Sequence, residues 1–173
     1  MKIELIEIKA RLPSLEPARR KILSMGASTD GTFRQVDTYY NSPAGRLKLR
    51  EVDGEPASKL IHYDREDTPD PKRSDVTIHE TEEPGPLKTI LARTLGIKVT
   101  VTKTREIYQH QGTQIHLDEV EDLGTFIEFE RPIKDLPRDR KVLQALMQQL
   151  NIKNEDLITG SYSDLKLDKP AEV

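Results

Sequence analysis

Apolar and polar residues alternate at the start of the chain. In IELIEIKARL (residues 3 to 12), Ile6, Ile8, Ala10 and Leu12 share one side, and Glu7, Lys9 and Arg11 share the other. A period of two predicts a half-buried strand. The period then lengthens in SLEPARRKILSMG, where Ala18, Ile22 and Met25 form a helix stripe. Ser14 suits an N-cap, Pro17 a first turn and Gly26 an end. Strands follow at TFRQVDTYY, GRLKLREV and ASKLIHYDRE, separated by the turn formers SPAG and DGEP. DTPDPKRSDV (67 to 76) carries two prolines and reads as a long exposed loop, a candidate lid.

VTIHETE predicts a short strand. PLKTILARTLG predicts a second helix, with Leu87, Ile90, Leu91 and Leu95 on its stripe and Gly96 at its end. Strands are expected again at KVTVTKTREIYQ, TQIHLDEV and TFIEFERP. A third helix is expected at RDRKVLQALMQQL, with Leu143, Leu146, Met147 and Leu150 inward, and a short helix near SYSDL. Helix, glycine and a strand ending in tyrosine occur twice, near 18 to 40 and 87 to 108, which suggests an internal repeat. Hairpin-joined strands with few helices predict an α+β antiparallel sheet or barrel. One domain over 1–167 is expected, with 168–173 a loose tail.

Composition narrows the chemistry. The chain has 173 residues, 33% charged and 35% hydrophobic, a net charge of −3 and no cysteine. Disulfides and thiolate chemistry are excluded. A protein that coats nucleic acid would more often be net basic and richer in aromatics than Phe 3, Tyr 5 and Trp 0. The start has no apolar run of leader length and no segment approaches a membrane span, so a soluble cytoplasmic protein is the expectation.

Charge is sorted by strand. GRLKLRE places Arg46, Lys48 and Arg50 in one row. Lys59, Tyr63 and Arg65 share a face, and so do Lys103 and Arg105. His116 with Asp118, and Glu128 with Glu130, form other rows. Like charges in a row repel, so this sorting predicts an anion for the cations and a metal ion for the carboxylates. Oxygen donors from Glu7, Asp118, Glu128 and Glu130 suit Mg²⁺ or Mn²⁺. The four histidines show no metal spacing and read as ordinary surface or hydrogen-bonded residues, and no Walker loop or GxGxxG is present. Arg65 and Lys72 border the loop and read as solvated. Of Tyr39 and Tyr40, at least one reads as strand packing.

Taken in order, IEIKARL, QVDTYYNSPAGRLKLRE, IHLDEVEDLGTFIEFE and SYSDL resemble the CYTH family of triphosphate tunnel enzymes, and most closely its class IV adenylate cyclase branch. The resemblance covers almost the whole chain. It implies a barrel of about eight antiparallel strands enclosing a tunnel whose cations grip a triphosphate. Glu7 and Lys9 match the end of an ExExK motif and would be catalytic. Lys9, Arg46, Lys48, Arg50, Lys59, Lys103 and Arg105 would bind the triphosphate. Glu7, Asp118, Glu128 and Glu130 would hold the metal. One departure stands out: the first Glu of ExExK is replaced by Leu5, and Glu4 belongs to the other face of the strand.

The resemblance therefore implies a Mg²⁺- or Mn²⁺-dependent enzyme on ATP, tripolyphosphate or thiamine triphosphate. The first reading is a cyclase that converts ATP to cyclic AMP and pyrophosphate; the alternative is a tripolyphosphatase or thiamine triphosphatase that hydrolyses a terminal phosphate. Leu5 leaves room for a third reading, a non-catalytic nucleotide or polyphosphate binder. Nucleic acid and membrane partners are not expected, and a homodimer is left open.

Overall fold

The alternating start of the chain is β1 (Lys2–Leu12) in the computed structural model, which describes residues 1–169. It leads into α1 (Glu16–Ser24), β2 (Ser28–Tyr40), β3 (Arg46–Val52), β4 (Ser58–Arg65) and β5 (Lys72–Thr81). Then come α2 (Pro84–Thr94), β6 (Ile97–His110), β7 (Thr113–Val120), β8 (Gly124–Pro132), α3 (Leu136–Gln149) and α4 (Tyr162–Asp168). All strand pairs are antiparallel, and they close a ring in the order β1–β5–β4–β3–β2–β6–β7–β8. Closure leaves no open sheet edge.

The repeat inferred from sequence is the plan of this ring. β1-α1-β2-β3-β4 and β5-α2-β6-β7-β8 share one order of elements, and exchanging the two sets maps the ring onto itself. The two repeat strands, β2 and β6, pair with one another. Gly45 makes the approach to β3 at φ +67°; a Cβ there would lie 2.6 Å from the Tyr63 carbonyl oxygen, so no other residue fits.

The main apolar core lies outside the ring. Ile6 and Ile8 of β1, Ile115 and Leu117 of β7, and Ile127 and Phe129 of β8 point outward. They meet Ala18 and Ile22 of α1 and Leu143, Leu146 and Met147 of α3. The inward positions of the same strands are largely polar. Period two makes this division possible: one face of each of these three strands is covered by helices and the other faces the tunnel.

Three expectations need correcting. The loop predicted over 67–76 ends early, because β5 already begins at Lys72. Its inward residues, Lys72 and Ser74, are buried polar groups, so the segment looks hydrophilic without being solvated. The α2 stripe is not covered: the helix buries no residue, and Ile90 is 57% exposed. Helix α1 begins at Glu16 after Leu15, without a side-chain cap from Ser14. The expected loose tail, 168–173, lies mostly outside the described residues. Among those described, no helix is long and apolar enough to cross a membrane.

Candidate functional site

The ring encloses an open cavity of about 470 Å³. One wall is organised around Asp37. β2 sits between β3 and β6, so an inward residue on β2 is reached from both sides. Asp37 lies opposite Arg50 in the strand register and accepts from its Nε and Nη2 at 2.8 Å each. Lys48 Nζ donates to it at 3.1 Å, and Lys103 Nζ at 2.8 Å. Burial opposes the charge on Asp37, but Arg50, Lys103 and Lys48 overcome it and hold the carboxyl well below its usual range. Burial, with Arg50 adjacent, pushes Lys48 down to about 8. Burial also drives Lys103 well down, although Asp37 opposes the shift.

The facing wall carries the acids. Arg105 donates to both oxygens of Asp118 at 2.7 Å, and the Tyr162 hydroxyl adds a third bond at 2.6 Å. Against the cost of burial, Arg105 holds Asp118 at about 2. Lys9 Nζ pairs with Glu128 at 3.0 Å and lies 3.7 Å above the Tyr162 ring. Glu7 accepts from Arg65 Nη1 at 2.7 Å. Burial and the neighbouring Glu128 push the Glu130 carboxyl well above its usual range, so it keeps its proton.

One group of donors fits a divalent cation. One ligand atom each from His116, Glu128 and Glu130 lies within 4.8 Å of the others. His116 Nδ1 is buried without a hydrogen-bond partner and faces Glu128 at 3.5 Å. Burial, aided by Arg105, lowers the imidazole to about 4, so it is neutral and free to donate a lone pair. Two crowded carboxyls and an orphaned imidazole nitrogen are what a cation would relieve. An imidazole among carboxylates favours Mn²⁺ over Mg²⁺, which prefers oxygen donors alone.

Most of the residues picked out by sequence converge here, with exceptions. Glu7, Lys9, Lys48, Arg50, Lys103, Arg105, Glu128 and Glu130 line the cavity. Lys59 stands at its rim, 45% exposed and 3.8 Å from Glu80. Arg46 lies to one side, engaged by Asp164 at 2.6 Å and Asp67 at 3.1 Å. Asp118 is not brought to the donor cluster; both its oxygens are committed to Arg105. Glu4 is exposed on the outer face, and β1 pairs in unbroken register, so no bulge restores the missing motif carboxylate.

Two further expectations fail. Arg65 and Lys72 are not solvated: the Arg65 side chain is 4% exposed, and Lys72 is 1% exposed, donating to the carbonyls of Thr68, Ile158 and Thr159. The sorted charges do not wait unpaired for a ligand either, because ring closure sets Asp37 under the basic strands and Arg105 and Lys9 against the acidic ones. Sequence reading passed over Asp37, Tyr162 and the His116 contact. A signal existed for Asp37, an acid among apolar strand residues and in phase with Tyr39.

A last stretch of wall is aliphatic. Ile3, Leu5, Ile61, Val76, Ile78 and Pro132 line the same cavity.

Comparison with known proteins matches the CYTH domain over residues 4–162. A proposed adenylate cyclase of Methanocaldococcus jannaschii is 27% identical, over 93% of this chain and 97% of its own. A Pyrococcus horikoshii protein of solved structure superposes with a TM-score of 0.85 at 24% identity, covering 95% of this chain and 99% of that one. A Hippeastrum protein, described as a proposed adenylyl cyclase with a dominant triphosphatase activity, superposes at 0.67 with 16% identity, covering 96% and 97%. These last two likenesses establish the fold.

Proposed function

The chain belongs to the CYTH family, and on that footing we propose that it is a divalent-metal-dependent enzyme that hydrolyses a triphosphate held in the tunnel. The observation that carries this reading is the division of one cavity. Lys48, Arg50 and Lys103 stand over a single carboxylate on one side, and the donor cluster of His116, Glu128 and Glu130 stands on the other.

The cation wall binds and orients the polyphosphate. Its three cations share only Asp37, so positive charge remains for phosphoryl oxygens. Arg50 offers a planar fork and Lys48 a point charge, both already positioned, so little reorganisation accompanies charge development in the transition state. On the acidic wall, Glu128 and Glu130 with His116 would hold the cation, and Glu7 lies in register with Glu130 beside them. A bound Mg²⁺ or Mn²⁺ would neutralise phosphoryl oxygens and make phosphorus more open to attack. Lys9 is held between Glu128 and the Tyr162 ring on the acidic wall.

The test is phosphate release from tripolyphosphate, ATP and thiamine triphosphate with Mn²⁺ or Mg²⁺, set beside thermal stabilisation by the same compounds. Hydrolysis yields orthophosphate. Stabilisation without turnover would mark a binder and sink the hydrolase reading. Cyclisation is the second reading, favoured by the M. jannaschii relative; its products from ATP would be pyrophosphate and a cyclic nucleotide. Glu130→Gln should raise the Mn²⁺ concentration for half-maximal rate about tenfold or more. An unchanged metal requirement would remove Glu130 from the ligand set.

A further inference from the structure

We infer that the tunnel is selective for polyphosphate esters whose organic part is an aliphatic chain. This rests on reading the tunnel as a polyphosphate site. The inward row of β1 changes character along its length, from Glu7 and Lys9 to Leu5 and Ile3. Ile3 lies opposite Val76 on β5, Leu5 opposite Pro132 on β8, and Ile78 opposite Ile61 on β4. The patch is therefore continuous across four neighbouring strands, β8, β1, β5 and β4.

It adjoins the phosphate-facing groups directly. Ile61 is opposite Lys48 in the register, and Leu5 is two residues from Glu7 on the same face. Outward apolar residues of the ring have α1 and α3 to cover them. The inward ones at this end are less completely covered: Val76 and Ile78 pack on a cluster that includes Ile61, Tyr39 and Tyr63, yet with Ile3 and Leu5 they stay half-buried around open space. An apolar surface left at the end of a charged tunnel has something to gain from an apolar ligand.

The chemistry of the patch discriminates among ligands. Inorganic tripolyphosphate would leave it wet. A purine would call for ring faces and free amides, but the patch itself is aliphatic. The nearby amides are engaged, Gln109 with Asp30 and Gln114 with His116, each by one hydrogen bond. Two aromatic rings border it, and both have cations over them: Tyr63 has Arg46, Lys48 and Arg65, and Tyr39 has Lys48. An alkyl or isoprenyl chain attached to a di- or triphosphate matches both regions at once.

The experiment is calorimetric titration of the full chain, with divalent ions chelated to prevent turnover. The probes are pyrophosphate, isopentenyl diphosphate, geranyl diphosphate, tripolyphosphate, ATP and geraniol. A fully buried methylene is worth about fourfold in affinity. Geranyl diphosphate should therefore bind at least tenfold tighter than pyrophosphate, with isopentenyl diphosphate between them. Leu5→Asn should shrink the geranyl-to-pyrophosphate ratio to within about threefold. Ile78→Thr, a smaller change, should reduce the same ratio if the first variant folds poorly. Equal affinity for pyrophosphate and geranyl diphosphate overturns the inference, as does ATP binding more tightly than geranyl diphosphate or geraniol binding as tightly. If neither pyrophosphate nor tripolyphosphate binds at all, the polyphosphate reading falls with it; if they bind without chain-length dependence, only the aliphatic selectivity falls.

Discussion

Two ion pairs occupy the same place in the two halves of the ring with their signs exchanged. Between β2 and β3, Asp37 lies in register with Arg50; between β6 and β7, Arg105 lies in register with Asp118. Each arginine reaches both carboxylate oxygens, at 2.8 Å in the first half and 2.7 Å in the second. The repeat thus specifies a buried bidentate pair and leaves its direction free. What differs is the company. Asp118 has one cation and a tyrosine hydroxyl, whereas Asp37 serves three cations. The Asp37 site, to which β6 of the other half lends Lys103, therefore carries surplus positive charge, and the Asp118 site is locally balanced. An anion is wanted on one side only, although the scaffold is the same on both.

The largest test of this contrast removes each carboxylate. Asp37→Ala and Asp118→Ala should each cost about 3–5 kcal/mol, because buried cations lose their partner. Chemical denaturation with an unchanged m-value would measure this. The contrast lies in rescue: tripolyphosphate should restore most of the Asp37→Ala loss and little of the Asp118→Ala loss. Equal rescue would mean that the two halves are electrostatically alike.

Next in size is affinity. Arg50→Ala should weaken tripolyphosphate binding by about tenfold or more, the cost of a charged hydrogen bond of about 1.5–3 kcal/mol. A Kd within twofold of the parent would separate Arg50 from the ligand. Tyr162→Phe should cost about 1 kcal/mol of stability, because Asp118 keeps its fork from Arg105. A loss of several kcal/mol would show that the second pair is not balanced without the hydroxyl.

The smallest effect is that of pH. Lys48 is held at about 8, below its ordinary 10.5. Between those values the unfolded chain binds the extra proton, so this group makes the free protein more stable as pH rises through that window. A bound polyanion reverses the shift by favouring charged Lys48. Binding therefore takes up a proton, and tripolyphosphate affinity should fall as pH climbs past about 8, by up to tenfold per unit for one proton. The Lys48→Met variant should lose that slope; a slope unchanged in the variant would assign it elsewhere.

Much of this arrangement was legible in the sequence, and the failures share a cause. β1, β3 and β8 announce themselves because an apolar face alternates with a charged one. The first part of β5 does not, because its inward face there holds Lys72 and Ser74. In a barrel with a polar interior a strand can be hydrophilic and still buried, and an alternation rule then reads it as loop. Asp37 was hidden for another reason: its three partners come from β3 and β6, and the chain does not state that β2 lies between them. The α2 stripe shows the converse. Periodicity reports that Leu87, Ile90, Leu91 and Leu95 share a face, but not that anything covers it. Leu5 could be read at once, since a single residue in phase with Glu7 needs only the period of a strand.

Closure of the ring joins Lys2–Leu12 to Gly124–Pro132. During synthesis the first strand must wait for the eighth, more than a hundred residues later, before Glu7 can lie beside Glu130 and Lys9 beside Glu128. A nascent chain that has reached β7 already holds Asp37 and all three of its cations, but it lacks Glu128 and Glu130 of β8. Any affinity it shows for polyphosphate at that stage would be grip without chemistry.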